Sequence, residues 1–135
     1  MSARRGKKAP GSPQDWLRHA QSDLDFALLG SKEPRVLREQ VCFHAQQAIE
    51  KALKALLLHH GVPFPLVHDI EELLLLLRAS GMDLPDWEKE LAEVTPYAVE
   101  ARYPGMWEEV LPSDSVRALE LAARTVEWVR DILSA

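Results

Sequence analysis

The chain has 135 residues, 47% of them apolar and 27% charged, with a formal net charge of −5. That is the composition of one ordinary globular domain with enough apolar side chains to bury a core. Four of its sixteen basic residues (Arg4, Arg5, Lys7, Lys8) fall in the first eight positions, where no acid occurs, so the remainder carries −9 and is a poor non-specific binder of nucleic acid. The single cysteine, Cys42, excludes an internal disulfide and reads as a small buried hydrophobe. The longest leucine run, Leu73 to Leu77, is far short of the ~20 apolar residues that span a bilayer. The N-terminus has no apolar segment of the secretory kind. A cytoplasmic location with no membrane association is therefore expected.

Residues 1–11 are basic and hold Gly and Pro, which predicts a disordered arm preceding a single bundle over 12–135. The arm reads either as a tether to an anionic surface or as a solubilising tail. The first helix starts at Ser12-Pro13: Ser12 suits the N-cap, Pro13 the first helical position, and Asp15 the first turn. Leu17, Ala20, Leu24, Ala27 and Leu28 form its core stripe, and Gly30-Ser31 ends it. The next helix is expected to begin at Pro34 and run through Arg38 into the central stretch.

That stretch, residues 41–58, contains no Gly or Pro and is rich in strong helix formers. Val41, Ala45, Ala48, Ile49, Ala52 and Leu56 recur at three- and four-residue steps and share one face. A polar stripe (Gln40, His44, Gln47, Lys51, Lys54) keeps the same spacing. The alanines at 45, 48, 52 and 55 let other helices approach closely. His59-His60-Gly61 stops the helix, with Gly61 placed for a left-handed cap.

Pro63 and Pro65 stiffen the loop that follows. His68-Asp69 opens the third helix, with Asp69 and Glu72 as a capping-box variant. The leucine run is apolar all round, which predicts a helix clamped between others, ending at Ser80-Gly81. A fourth helix is expected from Asp83-Leu84-Pro85 through Leu91 and Val94, kinked or ended by Pro96. Residues 97–112 are irregular. The last helix should start after Pro112 with Ser113 as its cap, on a stripe of Val116, Leu119, Ala122, Ala123, Val126, Val129, Ile132 and Leu133. With no strand alternation and no internal repeat, the expected fold is all-α: an up-and-down antiparallel bundle of four to five helices.

Phe43-His44-Ala45-Gln46-Gln47-Ala48-Ile49-Glu50-Lys51-Ala52-Leu53-Lys54-Ala55-Leu56 resembles the central helix of HEPN domains (higher eukaryotes and prokaryotes nucleotide-binding). His68-Asp69-Ile70, Arg102-Tyr103-Pro104 and the opening Trp16 with Asp23-Leu24 resemble further marks of that family in the same order. The resemblance covers residues 13–134. It implies a prokaryotic helical bundle that dimerises with itself and pairs with a minimal nucleotidyltransferase in a toxin–antitoxin-like system.

Some members of the wider superfamily are metal-independent ribonucleases, with an Arg followed after four to six residues by a His. Counting from Arg102, the corresponding positions here are Trp107, Glu108 and Glu109. The signature is absent there, so catalysis is not the leading expectation. Arg38 and His44 have the right spacer, but about one such match arises by chance in a chain of this composition. Six helical steps also turn the two side chains about 120° apart.

The candidate ligand-binding residues are His44, Gln47, Lys51, Arg102 and Tyr103: a point charge, amide and imidazole donors, a guanidinium fork and a stacking ring for a nucleotide or RNA. The competing reading makes the first three a polar network that fixes the bundle or a dimer contact. It makes Arg102 a loop anchor paired with Glu50 or Glu100. His59, His60 and His68 lack the partners and geometry of a zinc site. Capping accounts for Asp69 beside His68. No metal and no cofactor is expected. Three functions are compatible with these residues: a nucleotide- or partner-binding module, a ribonuclease toxin built on Arg102, and a purely structural dimerisation bundle.

Overall fold

The computed structural model describes residues 11–64, 66, 69–98 and 109–135. Five α-helices follow one another there: α1 (Pro13–Ser31), α2 (Arg38–His59), α3 (Ile70–Ala79), α4 (Glu88–Leu91) and α5 (Pro112–Ser134), with a 3₁₀ segment, Ala92–Ala98, directly after α4. No strand occurs among the described residues. The all-α class expected from the sequence holds.

α2 is the axis of the bundle. Val41, Ala45, Ala48, Ile49, Ala52 and Leu56 are all buried, as their spacing requires. Cys42, Leu53 and Leu57 on the other side are buried as well. A helix buried on nearly every side needs neighbours on every side. α1 and α5 pack along it, and α3 and the 3₁₀ segment close the remainder. Each large apolar side chain enclosed this way contributes about 1.5–3 kcal/mol. The four alanines at 45, 48, 52 and 55 are completely enclosed, which is what lets the neighbours close in.

The helix boundaries follow local chemistry. Ser12 caps α1 in a complete capping box: the Asp15 N–H donates to Ser12 Oγ, and the Ser12 N–H donates to Asp15 Oδ2, both at 3.1 Å. Those contacts, the Ser12 backbone N–H first, hold the Asp15 carboxyl below the usual carboxylate range. α2 ends in a Schellman turn. Gly61 takes φ +71, its N–H donates to Leu58 O, and the Val62 N–H reaches back to Leu57 O.

Several expectations are corrected. Pro34 does not begin α2; it lies in a turn closed by Glu33 O and the Val36 N–H, and extended Leu37 is the N-cap of a helix that starts at Arg38. Asp69 caps α3 by accepting from the Glu71 N–H, with no capping box involving Glu72. α3 is one-sided: Leu73, Leu74 and Leu77 face inward, whereas Leu75 is 62% exposed. α4 is a single turn that passes into the 3₁₀ segment at Ala92; Pro96 lies within that segment and, having no N–H, gives no bond back to the preceding turn.

At α5, Pro112 is itself the first helical residue and Leu111 the N-cap; Asp114 Oδ2 accepts from the Leu111 N–H at 2.8 Å, in place of a Ser113 cap. Its buried face is Ser115, Ala118, Leu121, Ala122, Thr125, Val126 and Val129, leaving Val116 exposed. α5 begins beside the start of α2, where Arg38 Nε donates to Val110 O at 2.8 Å. Trp87 Nε1 donates to Thr125 Oγ1 at 3.1 Å and anchors the short α4 turn on α5.

Candidate functional site: the seam between α1 and α2

α1 and α2 run antiparallel, and their seam carries a partly exposed ionic cluster. His44 and Lys51 are seven residues apart on α2, two helical turns, and so share a face. Between them, from α1, comes Asp23. Its Oδ2 accepts from Lys51 Nζ at 2.6 Å, and its Oδ1 lies 3.1 Å from His44 Nδ1. An ionised carboxylate only accepts, so Nδ1 carries the proton and Nε2 is the ring nitrogen left for other partners. The cluster is neither sealed nor open: side-chain exposure is 14% for Asp23, 24% for His44 and 26% for Lys51. The rings of Phe26 and Phe43 stand edge-on to His44 at centroid distances of 4.5 and 5.1 Å.

Gln47 belongs to a different network. Its amide donates to Gln46 Oε1 at 2.7 Å, Gln46 Nε2 donates to Glu50 Oε1 at 3.2 Å, and Lys54 Nζ donates to Glu50 Oε2 at 2.7 Å. Gln46, Glu50 and Lys54 are buried. The Lys54 ammonium also lies 5.7 Å from the Trp16 ring centroid and 5.5 Å from that of Phe64, two rings set edge to face. The polar stripe read from the sequence thus divides. His44 and Lys51 meet α1, while Gln47 and Lys54 feed a network inside the bundle.

Lys51 stands at the mouth of a groove of ≈ 310 Å³ formed with Gly11, Asp15, Trp16 and His19. Asp15 is engaged by Ser12 and Arg18. The groove therefore offers an ammonium held by Asp23, an imidazole and an indole, which together suit an anionic ligand with an aromatic part.

The structure brings together only His44 and Lys51 of the expected site. Arg102 and Tyr103 lie outside the described residues, as do His68 and residues 1–10 of the basic arm. Within the chain Arg38 and His44 have different partners: Arg38 Nε donates to the Val110 carbonyl and His44 Nδ1 faces Asp23. Among the described residues no group of three His, Cys, Asp or Glu side chains is placed to hold a metal ion, and no helix is long and apolar enough to cross a membrane.

Asp23 was missing from the expected site residues. Its signal was present: it falls three residues after Ala20 and four before Ala27, a carboxylate on the edge of an apolar stripe. Trp16, like Asp23, entered only as a mark of the family resemblance, and His19 gave no signal.

A helical bundle organised on one buried helix, with an ionic seam against its first helix, defines an all-α module whose polar groups lie between helices. The HEPN domain model matches residues 13–132, and the chain belongs to the HEPN domain family. Two solved structures are similar. TT1696 from Thermus thermophilus is 28% identical with a TM-score of 0.75, over 88% of this chain and 96% of that one. ST0689, described as an archaeal HEPN homologue, is 26% identical with a TM-score of 0.70, over 90% of this chain and 98% of that one. No curated protein gives a significant match.

Proposed function

We propose that this protein is a nucleotide- or partner-binding HEPN module. It works as a homodimer beside a minimal nucleotidyltransferase in a toxin–antitoxin-like pair. The carrying observation is the placement of Lys51 and His44 on one carboxylate, with Lys51 at the mouth of the groove walled by Trp16. Asp23 fixes the ammonium in advance, so little side-chain entropy is lost when a phosphate arrives. Trp16 offers a flat apolar edge for a base. Arg102 and Tyr103 join the site in this reading on the family resemblance alone. Gln47 acts through the buried network and sets the position of α2.

The test is calorimetric titration with ATP and with a short single-stranded RNA, each at two salt concentrations, alongside Lys51→Ala and Arg102→Ala. Saturable binding, weakened about tenfold or more in Lys51→Ala, is expected. Silence toward both ligands, together with a monomer that does not bind a co-expressed nucleotidyltransferase, overturns the reading. RNA cleavage that disappears in Arg102→Ala replaces it with a ribonuclease.

A further inference from the structure

Where α1 ends and α2 begins, the seam opens into a second cleft of ≈ 290 Å³, lined by His44 and not by Lys51. Phe26, Leu37 and Val41 form apolar walls. Phe26 and Leu37 are 58% and 63% exposed, large apolar side chains left in water at the cleft mouth.

Gly30 also lines the cleft. It lies in the last turn of α1 without positive φ, so the backbone does not call for glycine there. A Cβ there would come within 3.2 Å of Val36 Cγ1 and 3.5 Å of Val41 Cγ2, crowding the walls. The missing side chain lets Val36 and Val41 pack closely on the end of α1 and form this wall of the cleft.

The polar lining is sparse and contains no carboxylate: Arg35, Gln40 and His44. Arg35 gives only its Nε to Glu33, at 2.6 Å on a side chain 90% exposed, so its terminal N–H groups remain for a ligand beside the amide and the imidazole. His44 is the better placed of the last two. Asp23 engages Nδ1 and orients the ring, which leaves Nε2 as the ring nitrogen available to a ligand. A few polar groups set in an apolar slot near 300 Å³ are the make-up of a small-molecule site. A guanidinium, an amide and an imidazole with no carboxylate among them suit an anionic head, and a single carboxylate matches the guanidinium fork.

We propose that this cleft binds a small amphipathic carboxylate, its acyl or aryl chain between Phe26 and Leu37 and its head on Arg35, Gln40 and His44. The site shares Asp23 with the Lys51 groove but needs neither a nucleotide nor a partner protein, so it stands or falls separately.

The test is an NMR titration of the full chain with three probes: octanoate, octylamine (same tail, opposite head) and acetate (same head, no tail). Octanoate is expected to saturate while moving the His44 imidazole and Leu37 methyl signals together. The other two should bind about tenfold more weakly or worse. Phe26→Ala, at a position 58% exposed, should weaken octanoate binding about tenfold. Equal affinity for octanoate and octylamine overturns the proposal, as does octanoate binding unchanged in Phe26→Ala. Concentration-dependent broadening of the Phe26 and Leu37 signals that octanoate does not relieve also overturns it, assigning the cleft to a second copy of the chain.

Discussion

Asp23 and Lys51, 28 positions apart in the chain, close the α1–α2 seam with a 2.6 Å contact, and the same carboxylate faces His44 from its other oxygen. One acid thus serves two bases on the neighbouring helix. Asp23→Asn leaves Lys51 without its anion in a setting only a quarter exposed. Stability should fall by about 1–3 kcal/mol, read as a lower midpoint in urea unfolding. A double-mutant cycle with Lys51→Met should show coupling, because the second substitution removes the cation that the first one strands.

The buried pair Lys54–Glu50 should be more sensitive. Lys54 is 6% exposed and Glu50 2% exposed on their side chains, so neither ion has water to fall back on. Lys54→Met removes the cation from Glu50 Oε2 and the contact with the Trp16 and Phe64 rings. A loss of about 3–5 kcal/mol is expected, measured by equilibrium denaturation. Near-ultraviolet circular dichroism should register the altered Trp16 environment at the same time.

Ser12→Ala should cost about 1 kcal/mol through the lost cap. It also changes an acid's titration. Asp15 has its folded-state value lowered by the Ser12 backbone N–H and hydroxyl. Stability from such a group is fully present above the ordinary carboxylate value, about pH 4, and is lost as pH falls through the lowered folded value. In Ser12→Ala the Asp15 side-chain carbon signal should titrate at higher pH than in the parent, with a shallower acid loss of stability.

Gly61 tests backbone strain without packing. Its φ of +71 is unfavourable for side chains, and nothing lies within 4 Å of an added Cβ. Gly61→Ala should therefore destabilise by about 1–2 kcal/mol through conformation alone, and Gly61→Asn by less. Urea unfolding of the two variants checks the ordering.

α2 was legible because its helix formers are unbroken and its apolar residues hold a strict three-and-four spacing. Ser12, Pro13 and Gly61 were legible because capping is decided by a few neighbouring residues. The start of α2 and the length of α4 were not. Pro34 and Pro85 both fit a first helical turn, and Leu37 and Trp87 became the N-caps only through the path of the chain between helices. The site was half legible. His44, Gln47, Lys51 and Lys54 keep one spacing, yet two face an acid on α1 and two turn into the bundle. That choice depends on where Asp23 and Trp16 arrive, which periodicity along α2 does not encode.

The arrangement around α2 also orders how the chain assembles. Only residues 32–37 separate α1 from α2, so their pairing closes a short loop, whereas α5 must return across more than fifty residues to reach the same axis. A nucleus of α1 on α2 is the less costly one to form. Conservative truncation on that hairpin, such as Ile49→Val, should slow refolding in stopped-flow experiments. Val129→Ala in α5 should leave the refolding rate nearly unchanged and instead hasten unfolding.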